Sequence, residues 1–533
     1  MRDLYKIFSD NAQLRPDAVA LVVDGIEHTY SELQDLVRRI GALMVTSGPV
    51  TDSFVGIFAH RSLSAFAGVL GALSQGAAYV PLSPKFPPLR NRFIAEASGM
   101  RTIVVGNESL PEAIKLLDTL PTKLTLIFPQ TSRDDLESWE ALNDHQIFTM
   151  EDLDAAPTAI HAIHPHPSAR AYMLFTSGTT GNPKGVPIRH EQVLAYLDFI
   201  IDQYPFDEDD RFSQTFDLTF DLSVHDMFVC WAVGGRLYVL PEQAVMAPAR
   251  FIRENRLTVW FSVPSVGYFM SRLRMLKPGA FPHLKMSLFC GEALPEKLVK
   301  EWRDAATHSS IVNLYGPTEA TIAITHYRCP GSPSDSVQAN NGIVSIGRVF
   351  ESQSYRVVDE SLRSVNPGKQ GELCVSGSQV GNGYWKNPEK TKQQFVHLPG
   401  EGDRIWYRTG DLVRLEPDGN LAYLGRIDFQ IKIQGHRVEL DEINRVVEAG
   451  SGAHLAVSVP YPIRDGTAEG IYCFIDTLGT ASESEALDYC RNALPGYMVP
   501  RRLLTLGNFP LNANGKIDRN KLAQLLEESR GIL

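Results

Sequence analysis

The chain has 533 residues, of which 51 are basic and 62 acidic, so its formal net charge at pH 7 is −11. This length exceeds what a single hydrophobic core usually serves, so two or more domains are expected. The acidic balance argues against a nucleic-acid partner, no apolar run is long enough to span a membrane, and the six cysteines are scattered without a disulfide or metal-binding pattern.

Short strands rich in Val, Ile and Leu alternate with amphipathic helices along the chain. Strands are predicted at residues 55–59, 102–105 and 237–240, and helices at residues 31–43 and 64–71. This alternation predicts an α/β fold with mostly parallel sheets. No signal peptide is recognisable, and together with the unpaired cysteines this predicts a cytoplasmic location.

The most informative run follows an apolar, strand-like segment at residues 171–175. It reads Thr176-Ser177-Gly178-Thr179-Thr180-Gly181-Asn182-Pro183-Lys184. Glycines let a backbone approach a polyanion with its N–H groups turned inward, hydroxyls add donors and the lysine adds charge. The run therefore predicts a phosphate-binding loop, although its order differs from that of a Walker A motif. The glycines and serine alone would be equally typical of a surface turn.

Three further motifs follow downstream. The run Asn313-Leu314-Tyr315-Gly316-Pro317-Thr318-Glu319 offers an aromatic ring for a purine and a carboxylate suited to Mg2+. Asp411, after the turn at residues 407–410, is suited to a ribose diol, and Lys516 ends an Asn-Gly turn at residues 510–516. Each of these motifs taken alone is also typical of an ordinary turn.

Together, and in this order, the motifs resemble the adenylate-forming superfamily of acyl-CoA synthetases, luciferases and the amino-acid adenylation domains of nonribosomal peptide synthesis. The resemblance runs from residues 29–33 to Lys516 and covers nearly the whole chain. It implies a large N-terminal domain of mixed or parallel sheets with helices, residues 1–427, and a small mobile C-terminal α/β domain, residues 428–533, with the hinge at Asp428. It also implies ATP and Mg2+ as cofactors.

The resemblance implies a role for each matching residue. The catalytic residues would be Lys516, Glu319 and Thr176, with Glu319 as the Mg2+ ligand. The nucleotide-binding residues would be Ser177, Gly178, Thr179, Thr180, Gly181, Lys184, Gly291, Glu292, Ala293, Asn313, Tyr315, Gly316, Thr318, Asp411, Tyr423 and Arg426. Lys432 and Gly435 would lie on the face of the small domain that approaches the site when a thiol accepts the acyl group.

Asp221 bears on which acid is activated. In amino-acid-activating relatives the matching aspartate binds the substrate's α-ammonium group, whereas acyl-CoA synthetases and aryl-acid activators lack it. The other pocket positions matched by motif are Phe220, Leu222, His225, Phe261, Leu288, Cys290, Leu314, Ile322 and Ala323. This apolar lining favours alanine, proline or another short aliphatic amino acid, and His225 leaves serine and threonine open. A local pairing or helix-capping role for Asp221 is the alternative.

The sequence thus predicts a ligase that forms an aminoacyl-AMP and loads the phosphopantetheine thiol of a separate carrier protein, in nonribosomal peptide, antibiotic or toxin biosynthesis. Residues 289–292 and 320–323 resemble D-alanine:carrier-protein ligases, whereas Phe261 and Leu314 are more similar to stand-alone prolyl-activating enzymes. No carrier or condensation motif is found, so a freestanding enzyme is expected, with Arg501-Arg502 as a candidate patch for the carrier.

Alternative functions remain open at this point. An acyl- or aryl-CoA ligase is disfavoured by Asp221, and a D-alanine:carrier-protein ligase of cell-wall modification is a second possibility. A nucleotide-binding scaffold without catalysis is disfavoured by the presence of Lys516, Glu319 and Lys184. The usual Ala-Arg-Gly-Tyr element reads Gly381-Asn382-Gly383-Tyr384 here, which removes any role for that arginine.

Overall fold

The computed structural model describes residues 2–142, 144–159, 161–178, 182–332, 335–428, 430–464, 467–479, 481–511 and 517–528. The predicted catalytic Lys516 and the loop residues Thr179, Thr180 and Gly181 lie outside the described residues. None of the helices in the described ranges is long and apolar enough to cross a membrane.

The first large sheet has seven strands and is parallel except at one edge. In spatial order its strands are Gln146–Phe148, Thr125–Ile127, Thr102–Val105, Phe54–Phe58, Ala78–Leu82, Arg170–Thr176 and the antiparallel Lys184–Arg189. The helices that accompany it are Tyr30–Met44, Leu63–Ser74, Pro88–Ser98, Leu110–Leu117, Arg133–Leu136 and Met150–Ala155. Helix Leu63–Ser74 carries no charged residue, which suits its nearly complete burial in the core.

The second large sheet has nine strands, with parallel strands in its centre. In spatial order they are Arg348–Val349, Thr325–Arg328, Ser310–Tyr315, Met286–Phe289, Val259–Ser262, Arg211–Gln214, Arg236–Val239, Val19–Val23 and Ile26–Thr29. Its helices are Leu4–Leu14, His190–Gln203, Leu222–Val233, Pro248–Glu254, Pro264–Arg272 and Glu296–Ala305. One core cluster combines residues of both large sheets, so the two sheets belong to one folded unit.

An antiparallel five-stranded sheet completes the large N-terminal part. Its strands are Gln353–Val358, Gln370–Gly377, Phe395–His397, Ile405–Leu415 and Leu421–Arg426, with helix Pro388–Gln394. The short strand Ala339–Asn340 pairs antiparallel with Ile343–Val344. Asn341 and Gly342 both have positive φ, 48° and 78°, as a tight hairpin turn requires.

The C-terminal part has its own sheets and helices. Its strands are Gln430–Ile433, His436–Glu439, Ala456–Pro460, Ile463–Arg464, Thr467–Ala468, Ile471–Ile475 and Leu503–Thr505, and its helices are Leu440–Ser451, Glu483–Ala493 and Arg519–Glu528. Two core clusters are drawn only from residues 431–526. These separate cores support a domain division near residue 428, which stays a prediction.

The α/β fold class predicted from the sequence is confirmed. The predicted strands lie within one residue of Phe54–Phe58, Thr102–Val105 and Arg236–Val239. The helix predicted at residues 64–71 extends to Ser74, because Ala72 and Leu73 continue its buried face. Helix Tyr30–Met44 begins at a capping box in which the N–H of Glu32 donates to the Thr29 hydroxyl and the N–H of Thr29 donates to the Glu32 carboxylate.

Candidate active site

The predicted functional residues converge where strands of both large sheets end beneath the β-hairpin formed by residues 430–439. Strand Arg170–Thr176 ends at the phosphate-loop residues, strand Ser310–Tyr315 leads into Thr318, and helix Leu222–Val233 begins after Asp221. In α/β folds ligands bind at this carboxyl edge of parallel strands. A cavity of about 100 Å³ lies here. Its lining includes Thr176, Ser177, Phe220, Asp221, Leu222, Cys290, Gly291, Tyr315, Gly316, Thr318, Ile322, Asp411, Arg426, Lys432 and Gly435.

Other predicted residues lie outside this lining. Five of the amino-acid-pocket residues are buried: His225, Phe261, Leu288, Leu314 and Ala323. The last four belong to the core cluster that adjoins the cavity. The side chain of Asn313 does not reach the cavity, because its amide donates to the carbonyl oxygen of Ser345 at 2.9 Å. Gly291 lines the cavity. The next residue, Glu292, accepts hydrogen bonds from backbone N–H groups, and Ala293 follows Glu292.

Asp221 is buried and its carboxylate is only partly satisfied. It precedes helix Leu222–Val233, but its side chain makes no capping hydrogen bond. Within the described part of the chain, its Oδ2 atom is buried without a hydrogen-bond partner. Burial raises the pKa of Asp221 to about 6, although hydrogen bonds from Thr318 and the Ile322 backbone act in the opposite direction. The missing capping hydrogen bond disfavours the capping alternative. A buried carboxylate of this kind is stabilised by an added cation.

His225 lies one helical turn beyond Asp221, on the same face of the helix. Its Nδ1 is 2.7 Å from the Tyr196 hydroxyl, and its ring centroid is 4.5 Å from that of Phe261. Burial lowers the pKa of His225 to about 3, so the imidazole is neutral. The base of the predicted amino-acid pocket therefore adds polarity but no second charge.

The segment that carries Ile322 into the cavity has a strained backbone. Thr321 and Ile322 have φ values of 58° and 71°, a left-handed conformation that a β-branched residue adopts only when its surroundings enforce it. Here the Thr321 hydroxyl donates to the Gln379 carbonyl at 2.6 Å, and the Gln379 amide donates to the Ala323 carbonyl at 2.8 Å. A Cβ on Gly316 would lie 2.6 Å from the Cα of Ala323, so this close approach requires glycine.

Glu319 is the centre of a buried charge cluster. Its carboxylate lies 2.9 Å from the Arg437 guanidinium and 3.4 Å from the Lys184 ammonium group, and it accepts a 2.7 Å hydrogen bond from Tyr384. Burial alone would raise the pKa of Glu319, but Arg437 and Lys184 outweigh burial and hold that pKa below its usual range. Burial also lowers the pKa of Lys184 to about 8, with a further contribution from Arg437.

The residues around Glu319 fit a Mg2+ ion that is shared with a nucleotide. No cluster of three or more acidic, histidine or cysteine ligands exists in the ranges the structure describes. Mg2+ is commonly bound by one or two carboxylates together with substrate phosphates, and Glu319 beside the phosphate loop supplies one such carboxylate. In the arrangement seen here Arg437 already neutralises that carboxylate.

A second charged group surrounds Asp411. Tyr315 donates a short hydrogen bond to one oxygen of Asp411, and Arg426 donates to the other oxygen at 2.8 Å. Arg426 also binds Asp428 through two hydrogen bonds of 2.6 and 2.8 Å. The Tyr423 ring lies 6.5 Å from the Tyr315 ring, and the Lys432 ammonium group lies 6.0 Å from the centroid of the Tyr315 ring. The predicted ribose and adenine residues are thus brought together, and the predicted hinge residue adjoins them.

The hairpin at residues 430–439 packs directly on the predicted site. The Gly435 N–H donates to Glu292 at 2.7 Å, and the Ser177 hydroxyl donates to the Arg437 carbonyl at 2.7 Å. Sequence reasoning did not single out Arg437. It also did not single out the buried ion pair in which Arg90 lies 2.7 Å from Oε1 of Glu442. Arg90 and Glu442 are 352 positions apart, so no local pattern could indicate their contact.

A larger cavity of about 1,040 Å³ adjoins the site between the N- and C-terminal parts. Both cavities share Phe86, Thr219, Phe220, His436 and Tyr497 in their linings. The His436 ring is stacked on Tyr497 with a centroid distance of 3.6 Å. This junction is therefore an aromatic constriction between the larger cavity and the predicted site.

All six cysteines are buried as free thiols. Cys290 lines the smaller cavity, and burial raises its pKa to about 12. The two arginines proposed from the sequence as a docking patch have partners within the chain. Arg501 donates to the Glu469 carbonyl, and Arg502 donates to Glu483 at 2.9 Å.

Comparison with known proteins gives consistent matches. A family described as AMP-binding enzyme matches residues 8–385. Tyrocidine synthase 1 of Brevibacillus parabrevis is 31% identical over 98% of this chain, which spans only 45% of that relative. Zwittermicin A synthase ZmaJ of Bacillus cereus is also 31% identical, and the match covers 98% of this chain and 95% of the relative.

A solved structure has the same overall fold. The Vibrio cholerae adenylation domain AlmE, in complex with glycyl-adenosine-5'-phosphate, superposes with a TM-score of 0.87 and 32% sequence identity, covering 98% of both chains. Several curated relatives are much longer than this chain, which spans 8% of tyrocidine synthase 3 of Brevibacillus parabrevis. Similarity to the longer relatives therefore concerns one part of their length.

Proposed function

The chain belongs to the AMP-binding enzyme family, whose adenylation domains are ATP-dependent ligases, and from this premise we propose the specific reaction that it catalyses. It activates a small α-amino acid with an uncharged side chain as the aminoacyl adenylate. It then transfers the aminoacyl group to the phosphopantetheine thiol of a carrier protein, in nonribosomal peptide or related biosynthesis.

Asp221 is the observation that carries this proposal. A buried carboxylate with an unsatisfied oxygen needs a cationic partner, and the α-ammonium group of an amino acid supplies one. Leu222, Cys290 and Ile322 line the same cavity, so an amino acid held by Asp221 would meet apolar walls. Acyl and aryl acids lack the ammonium group and would leave Asp221 unpaired.

The first reaction joins two anions, the substrate carboxylate and the α-phosphate of ATP. A carboxylate oxygen forms a bond to the α-phosphorus, and the bond to the leaving pyrophosphate breaks. The protein contributes mainly positioning and positive charge. Ser177, Gly178 and Lys184 would hold phosphate oxygens, Asp411 the ribose and Tyr315 the adenine ring. Lys516 would neutralise the reacting groups, and the loss of such a donor typically costs about 2.7–4 kcal/mol.

The second reaction forms a thioester. The thiol sulfur bonds to the acyl carbon, the bond from that carbon to AMP breaks, and the thiol proton passes to solvent. The cavity of about 1,040 Å³ offers a route for the pantetheine arm, since its lining continues to Phe220, His436 and Tyr497 at the smaller cavity. The hairpin at residues 430–439 faces the site here, as the resemblance implies for this second step.

The cavity lining and a similar solved structure both favour an amino acid with a small side chain. A neighbour of 32% identity was solved with a glycyl adenylate. Leu222 and Ile322 line the same cavity as Asp221, and its volume of about 100 Å³ favours a short side chain. Glycine, alanine, proline and serine are therefore the amino acids to test first.

The test is amino-acid-dependent exchange of labelled pyrophosphate into ATP by the full chain. We expect exchange with one small amino acid to exceed that with the corresponding acid without an amine by at least about a hundredfold. The Lys516→Ala variant should lose exchange by about a hundredfold or more while it still binds ATP, since Lys516 would act on the reacting groups.

Two results would change the assignment. Equal exchange with acids that lack an amine would favour an acyl- or aryl-CoA ligase and contradict the role of Asp221. Undiminished exchange in Lys516→Ala would show that the catalytic lysine is assigned wrongly. Loading of pantetheine or a carrier protein, followed by mass spectrometry, tests the second reaction separately.

A further inference from the structure

The imidazole of His225 has a buried nitrogen atom without a partner in the part of the chain that the structure describes. His225 is only 1% exposed. Its Nδ1 atom lies 2.7 Å from the Tyr196 hydroxyl, whereas its Nε2 atom has no hydrogen-bond partner. A buried polar atom that is left unpaired is unfavourable. The free nitrogen therefore indicates a missing hydrogen-bonding group.

The position of His225 on its helix relates it to Asp221. Helix Leu222–Val233 follows Asp221, and residues one turn apart on a helix face have Cβ atoms about 5–6 Å from each other. Helical side chains lean toward the N-terminal end of their helix, so the imidazole leans toward Asp221. The Asp221 carboxylate also has a buried oxygen atom without a partner among the described residues. The same helix face thus carries two unsatisfied polar groups.

The surroundings of His225 hold its ring and keep the ring uncharged. The Phe261 and Tyr196 ring centroids lie 4.5 and 5.9 Å from the imidazole centroid. Tyr196 is itself fully buried. Burial lowers the pKa of His225 to about 3, so an acidic side chain of a substrate would meet no positive charge on this ring. The imidazole therefore suits a neutral hydrogen-bonding partner.

A hydroxyl group satisfies the free nitrogen in either tautomer of His225. If Tyr196 donates to Nδ1, Nε2 carries the proton and needs an acceptor, and if Tyr196 accepts, Nε2 needs a donor. A hydroxyl group both donates and accepts, whereas a methyl group does neither. The hydroxyl of serine or threonine is on the β-carbon, next to the carbon that bears the ammonium group. One small amino acid can thus pair with both groups of the helix face.

We propose that the preferred substrate is an amino acid with a hydroxyl group on its β-carbon, and that Nε2 of His225 is the atom that selects this hydroxyl. Tyr196 is the positioning residue that orients the imidazole. The inference rests on the proposed function, because it takes Asp221 as the site of the α-ammonium group. It narrows the substrate from small amino acids in general to the hydroxylated class.

The direct test compares amino acids that differ by the hydroxyl group, in pyrophosphate exchange by the full chain. The better substrate of serine and threonine should exceed its counterpart without the hydroxyl, alanine or valine, in kcat/KM by about tenfold or more. The reason is that the apolar counterpart leaves the buried nitrogen unpaired. This comparison uses the wild type, so it holds even where a substitution in the core prevents folding.

Two variants test the atoms themselves. His225→Phe keeps a ring and removes both nitrogens, and Tyr196→Phe removes only the hydroxyl. In both variants the preference for the hydroxylated amino acid should fall by about fivefold or more, through its KM, while the KM for ATP changes less than about twofold. His326→Phe is the matched control, because His326 also pairs with a tyrosine, Tyr204 at 2.9 Å, but lies on strand Thr325–Arg328. Its preference should equal that of the wild type.

The outcomes separate this inference from the proposed function. A higher kcat/KM with glycine, alanine, valine or proline than with serine and threonine would overturn the role of His225 and leave the proposed function standing. An unchanged preference in a folded His225→Phe variant would do the same. Exchange with acids that lack an amine, and with no amino acid, would overturn the proposed function and this inference with it.

Discussion

The burial of Asp221 affects both its ionisation and the kind of ligand it would bind. The carboxylate lies in a low-dielectric pocket where ionisation is costly, and this is why its pKa rises to about 6. An ammonium group would compensate for the burial, so binding of the amino acid and ionisation of Asp221 favour one another. Under the proposed function, the burial that makes the empty pocket unfavourable for a charge would make the occupied pocket selective for amines.

This coupling predicts the pH dependence of substrate binding. Below about pH 6 the Asp221 carboxyl is protonated in the free enzyme. The KM for the amino acid should therefore rise about tenfold for each unit by which the pH falls further below 6. Above pH 6 the KM should be flat, and the KM for ATP should not follow this pattern. Initial-rate measurements of exchange between pH 5 and 8 check the prediction.

Asp221→Asn is the matching variant, because it keeps the shape and removes the charge. Its KM for the amino acid should be high and independent of pH in this range. A wild-type KM that is unchanged between pH 5 and 7 would show that Asp221 does not titrate in contact with the substrate.

The hairpin at residues 430–439 contacts the large N-terminal part at the predicted site. Gly435 has a φ of 81°, and its N–H donates to Glu292. A Cβ at this position would lie 2.6 Å from Cγ1 of Val263, so a larger residue cannot occupy the docked position without a shift. The turn is thus fitted to the wall of the large domain.

Gly435→Ala should therefore reduce transfer to pantetheine by about tenfold or more, and should reduce pyrophosphate exchange much less. Gly400→Ala is the control for backbone strain, since Gly400 has a φ of 82° and a Cβ there would meet no atom within 4 Å. Equal losses in the two half-reactions of Gly435→Ala would contradict a role limited to docking.

The sequence predicts most secondary-structure elements and some of the contacts at the site. Alternating apolar segments predict the strands and helices of the large sheets, because local periodicity reflects which face is buried. The site motifs predict Asp221, Tyr315 and Asp411 at one place, and the structure brings these three together. Local pattern does not predict that Asn313 points to Ser345, or that Arg437 pairs with Glu319, since these contacts depend on how distant elements pack.

At the scale of the whole molecule, the separate C-terminal core has a consequence for stability. Leu522 is fully buried in a cluster formed only by C-terminal residues, whereas Leu525 on the same helix is 36% exposed. All six tryptophans precede residue 428, so their fluorescence reports on the N-terminal part alone. Circular dichroism reports on both parts.

Leu522→Ala should lower the unfolding free energy of the C-terminal part by roughly 2–5 kcal/mol. In urea, the circular dichroism signal should gain an early transition while the tryptophan transition stays where it is in the wild type. Leu525→Ala should have a much smaller effect. A shift of the tryptophan transition by the same amount would mean that the two parts unfold as a single unit.

The burial of every cysteine has a chemical consequence for an enzyme that would make acyl adenylates. Such adenylates acylate any accessible thiolate, and Cys290 lies in the lining of the very cavity where the adenylate would form. Burial raises the pKa of the Cys290 thiol to about 12, so at neutral pH it stays protonated and is a poor nucleophile. Under the proposed function, the Cys290 thiol would thereby resist acylation, and the phosphopantetheine thiol would meet no competing thiolate in this cavity.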